Sequence, residues 1–147
     1  MNKEMLDFST ITDLGRKARN LKDWEWMQGM RVMNGRSGPR GTVLEGDKDY
    51  AVWYGEGSTR EGGGYQEQYP PHPDIIPDFS DPATLGCLLY LVRKLAGDPT
   101  VWTVMRDGTW YVCWSGATHG GDFGKGNTEA EALVDAFIFL SNGKQQK

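Results

Sequence analysis

The chain has 147 residues, the length of about one domain. Glycine occurs 20 times, roughly twice the average usage of about 7%. Six tryptophans and an aromatic content of 12% exclude an acidic, solvated disordered chain, and the glycines lack the three-residue period of collagen. The net charge of −4 argues against broad nucleic-acid binding, which needs a basic face. No run approaches 18 apolar residues, so no membrane span is expected. Residues 1–7 contain no apolar signal-peptide core, and a cytoplasmic location is the expectation.

The charge is unevenly spread. Residues 1–44 carry eight basic and five acidic side chains, residues 45–81 two and nine, and residues 82–147 six of each. An acidic middle, rich in Gly and Pro, therefore separates a mildly basic start from a neutral end. The two cysteines, Cys87 and Cys113, cannot build a disulfide framework or a metal cage, and each lies in an apolar segment that favours a buried thiol.

The elements follow in chain order. Ser9 or Thr10 caps a first helix, along which Ile11, Leu14, Ala18 and Leu21 fall at helical spacing. Arg16, Lys17 and Arg19 lie largely off that stripe and read as a solvated face. Trp24-Glu25-Trp26 leads into a short strand through Met30 and Val32, and Asn34-Gly35 signals a turn. Thr42–Glu45 and Tyr50–Tyr54 read as two further strands of an antiparallel meander. Residues 55–80 read as one long Gly/Pro-rich acidic loop, with Tyr65 and Tyr69 placed to anchor it or to touch a partner. Ser80-Asp81-Pro82 opens a second helix whose stripe runs from Leu85 to Ala96; Gly97 ends it and Pro99 prevents resumption. Val101–Met105 and Trp110–Trp114 form a hairpin about Asp107-Gly108. A Gly-rich connection, with Phe123 marking a last short strand, precedes the capping box Thr128-Glu129-Ala130-Glu131, and Gly143 closes the final helix. The sum is a single α+β domain: an antiparallel sheet of about five strands with two or three packed helices.

Chemistry-bearing residues are few. His72 and His119 each stand alone in a loop with no ligand or base at useful spacing, and no catalytic residue, metal site or cofactor is assigned. The segment around Lys125 and Thr128 fails the strict phosphate-loop pattern, since Gly126 stands where Ser or Thr is needed. It keeps a looser anion-binding logic, a helix N-terminus beside a lysine. Trp24, Trp26, Trp53, Trp102, Trp110 and Trp114 all lie in or beside predicted strands, and either pack a small sheet or form an aromatic platform that stacks a base or grips a side chain. The candidate ligand-binding set is therefore Trp24, Trp26, Arg31, Tyr65, Tyr69, Trp110, Trp114, His119, Lys125 and Thr128.

The segment Pro77-Asp78-Phe79-Ser80-Asp81-Pro82, the Trp-bearing hairpin and Thr128-Glu129-Ala130-Glu131-Ala132-Leu133 together resemble small accessory proteins of tailed bacteriophages, similar to the phage α-β-α sandwich domain. The stretch Trp24-Glu25-Trp26-Met27-Gln28-Gly29-Met30-Arg31 is similar to one in the same kind of protein. The resemblance implies a non-enzymatic protein in the cytoplasm of the infected bacterial host. It would counter host defence by binding a defence protein or sequestering a nucleotide signal, with no membrane or nucleic-acid partner, and would act as a homo-oligomer in the sequestering case. The alternatives are a small nucleotide-processing enzyme using His119 and Lys125, and a structural or assembly factor of the virion.

Overall fold

A computed structural model describes residues 7–35, 40–55, 64–68, 71–114 and 122–145. Helix α1 spans Phe8–Arg19 and is followed by strands β1 (Arg31–Asn34), β2 (Arg40–Gly46), β3 (Ala51–Gly55), β4 (Gly64–Gln68) and β5 (Ile75–Pro77). Helix α2 (Pro82–Ala96) leads to β6 (Trp102–Arg106), β7 (Thr109–Cys113), β8 (Asp122–Gly126) and the last helix, α3 (Glu129–Gln145). The fold is α+β, as expected, but its strands divide between two antiparallel sheets: five strands in the order β4-β3-β2-β1-β5, and three in the order β6-β7-β8.

Local chemistry sets the helix ends. The side chain of Asp7, not of Ser9 or Thr10, caps α1 by accepting from the Thr10 amide at 2.7 Å. Asp81 caps α2, and Gly97 ends it in the left-handed conformation at φ 67°. At α3 the Thr128 hydroxyl accepts from the Glu131 amide while the Glu131 carboxylate accepts from the Thr128 amide, each at 3.1 Å. Gly143 does not close this helix: it keeps φ negative, and the helix runs on to Gln145. Asp107 and Gly108 both take positive φ, 53° and 80°, the geometry of a type I′ hairpin turn.

The expectation of one irregular loop over 55–80 is corrected by two strands. Gly64–Gln68 extends the first sheet by pairing with β3. Its side chains are mostly polar, so no apolar alternation announces it. Ile75–Pro77 pairs with β1 as an edge strand, where Pro77 needs no N–H for the ladder. Arg19 also departs from expectation. Rather than joining a solvated face, its guanidinium donates to the carbonyls of His72 and Ile75, each at 2.7 Å, and of Pro71 at 3.4 Å, and lies 5.4 Å from the Trp26 ring centre. Burial holds it below the usual arginine pKa. It pins the strand β5 segment to α1, helped by the Arg16–Asp74 pair at 3.6 Å.

One core cluster gathers residues of both sheets and all three helices, among them Leu14, Val43, Phe79, Leu91, Val112 and Phe137. A smaller cluster of Ile11, Met33 and Ile76 lies where α1 meets β1 and β5. Helix α3 is the hub, packing on β8, β7, α2 and α1. Its approach to β8 is close enough to require Gly124, where a Cβ would collide with the Ala132 carbonyl oxygen and with Ala136.

Candidate functional site

The i, i+3, i+4, i+7 positions Thr10, Asp13, Leu14 and Lys17 put one face of α1 across from α3, where Glu131, Val134, Asp135 and Ile138 repeat the same spacing. Thr109 and Tyr111 of β7 and Lys125 of β8 complete the walls of a cleft of about 540 Å³. It continues into a second hollow of about 400 Å³ between Tyr111, Phe123, Lys125, Asp135 and Phe139. Tyr111, Lys125 and Asp135 belong to both. The outer end is aromatic. Phe123 lies 6.2 Å from Trp114, edge to face, and 6.4 Å from Phe139, which is 60% exposed.

The charges inside the cleft are largely engaged. Asp13 pairs with Lys17 at 3.1 Å, and Asp135 accepts the Lys125 amide at 3.1 Å. The Glu131 carboxylate accepts from the amides of Asn127 and Thr128 at 2.8 and 3.1 Å. The N-terminus of α3, read from sequence as an anion site, is therefore occupied by the protein's own carboxylate. Thr128 is a buried cap, and only Lys125 of that pair faces the cleft.

The tryptophan platform is also corrected. Trp24 and Trp26 are 3% and 2% exposed and meet edge to face at 5.5 Å. Trp24 further meets Phe79 and Phe137, each at 6.1 Å. Both rings are core, held by an irregular segment before β1 in which the Trp26 amide donates to the Asp47 carbonyl at 2.9 Å. Arg31 heads β1, where its amide donates to the Thr84 hydroxyl at 2.6 Å, away from the cleft. Trp110 packs partly buried against the core. Tyr65 sits in β4 opposite Tyr54, while Tyr69 and His119 lie outside the described residues.

Of the ten sequence candidates, the structure brings Trp114 and Lys125 to the cleft, Trp114 through Phe123. It adds Tyr111, Phe123, Asp135 and Phe139. Phe139 carried a signal: it is a large apolar residue off the buried stripe of its own helix. Among the described residues, no group of three or more His, Cys, Asp or Glu side chains is placed to hold a metal. No described helix is long and apolar enough to cross a membrane. No family model matches the sequence, and neither the curated proteins nor the solved structures supply a match.

Proposed function

We propose that this chain is a non-enzymatic accessory protein of a tailed bacteriophage that counters host defence by binding a defence protein in the cytoplasm of the infected cell. The phage origin rests on the resemblance carried by the hairpin, the two helix caps and the Trp24–Arg31 stretch. The binding role rests on Phe139. Leaving a phenylalanine 60% exposed beside two other aromatic rings at a cleft mouth is costly in water and suited to a protein interface. Cleft and rim combine an aromatic anchor with a polar border, the usual anatomy of such surfaces.

Sequestering a nucleotide is the weaker version. A phosphate would compete with Glu131 for the α3 amides, and the two core tryptophans offer no ring for a base. Two experiments separate the versions. Size-exclusion chromatography of tagged protein purified from the bacterial host is expected to show a stoichiometric complex with one host protein. A thermal-shift panel of cyclic nucleotides and ADP-ribose derivatives is expected to leave the melting temperature unchanged. A free chain that is stabilised by one nucleotide would transfer the proposal to the sequestering version.

A further inference from the structure

Among the described residues, one edge of the second sheet is left unprotected. Its β8 edge is covered by α3, with the Lys125 amide donated to Asp135. In the first sheet, the β5 edge is shortened to three residues, ends on Pro77 and lies against α1. No such device is found at β6 among the described residues. In the type I′ hairpin the Arg106–Thr109 pair next to the turn is hydrogen-bonded, so Trp102, Val104 and Arg106 direct their backbone groups toward β7. Thr103 and Met105 direct theirs outward, and no backbone partner meets them among the described residues. Trp102 and Met105, at 41% and 45% exposure, place a large apolar side chain on each face of this edge.

We propose that β6 pairs antiparallel with β6 of a second copy of this chain about a two-fold axis through Val104. This register satisfies all four outward groups, because Thr103 faces Met105 of the second copy and Met105 faces its Thr103. Shifting by two residues in either direction leaves half of them unmatched. The register is also chemically self-complementary. Trp102 falls opposite Arg106 of the second copy, whose guanidinium already lies 4.4 Å from its own Tyr111 ring centre, so the cation would sit beside two aromatic rings. Val104 meets Val104 in the close, non-hydrogen-bonded pair at the axis. The product is a six-stranded sheet with both α3 helices on one face, because the axis of an antiparallel pair is perpendicular to the sheet. This self-match favours a second copy over an unrelated extended peptide at the same edge.

The test reads oligomeric state by sedimentation velocity of the full chain at tens of micromolar. The wild type is expected to be a dimer, and Val104→Lys and Val104→Glu, with unchanged far-UV spectra, to be monomers. Mixing the two variants is expected to restore the dimer, since residue 104 faces itself across the axis and opposite charges there attract. Should either variant fail to fold, Val104→Cys serves instead, because that pair's spacing lets it cross-link under mild oxidation where the wild type does not. A monomeric wild type would overturn the proposal. So would dimers of both charged variants, a mixture that stays monomeric, or a Val104→Cys chain that gives no cross-link.

Discussion

Trp24 shows how little residue type alone decides between a core and a binding surface. A tryptophan two positions from another, flanking a charged residue, has the composition of a binding platform. It becomes core by packing edge to face on Trp26, Phe79 and Phe137, while Gly46 admits the neighbouring Trp26: a Cβ there would lie 2.7 Å from the Trp26 Cβ. The Trp24 Nε1 hydrogen is the only buried side-chain polar group among the described residues without a partner. Replacing Trp24 by Ala is expected to cost about 3–5 kcal/mol in urea unfolding, whereas Phe, which also removes the orphan donor, is expected to cost much less. Asp7 allows a second check. Its bonds to the Thr10 amide and then the Thr10 hydroxyl hold its carboxyl below the usual value of about 3.9. A lowered folded pKa means the cap stabilises above that usual value and fades as pH falls through the folded one. Asp7→Ala should therefore lower the melting temperature at pH 7, with the gap to wild type closing below about pH 4.

At the scale of elements, helices and tight turns were legible because their signals are local. The Asp81 cap, the Gly97 stop, the Thr128–Glu131 box and the Asp107-Gly108 turn all stand where the residues place them. Strands β4 and β5 were not legible: β4 carries no apolar alternation although it pairs with the preceding strand β3, and β5 owes its conformation to β1, a partner distant in sequence. Helix α2 offers a paired test of the local logic. Gly86 lies mid-helix with open space around its Cβ position, so Gly86→Ala is expected to stabilise by about 0.5–1 kcal/mol. Gly97 holds φ 67° with equally open space, so Gly97→Ala is expected to destabilise by about 1 kcal/mol from backbone strain alone. Thermal unfolding of the two variants reads opposite signs from the same chemical change.

At the scale of the molecule, the division into two sheets decides where the cleft sits. Trp24 and Trp26 are buried between the first sheet, where Gly46 meets Trp26, and the helices, where Trp24 meets Phe137 of α3 and Trp26 meets Arg19 of α1. The second sheet, with α3 on one side and α1 alongside, opens the cleft. Lys125 could be named from sequence, as it stands in a Gly-rich stretch shortly before a helix. Phe139 left only the mark of an apolar residue off its helix stripe, and Tyr111 and Phe123 left none, because what joins the three is the packing of α3 across β7 and β8. The central claim is that the aromatic rim of this cleft binds a protein partner. The most direct measurement is quantitative capture by tagged wild type, Phe139→Asp and Leu44→Asp from phage-infected bacteria. Leu44 is 39% exposed on the other sheet and serves as the control. One stoichiometric partner is expected to be held by wild type and Leu44→Asp and lost from folded Phe139→Asp. Retention by Phe139→Asp, or equal loss from both variants, would contradict it.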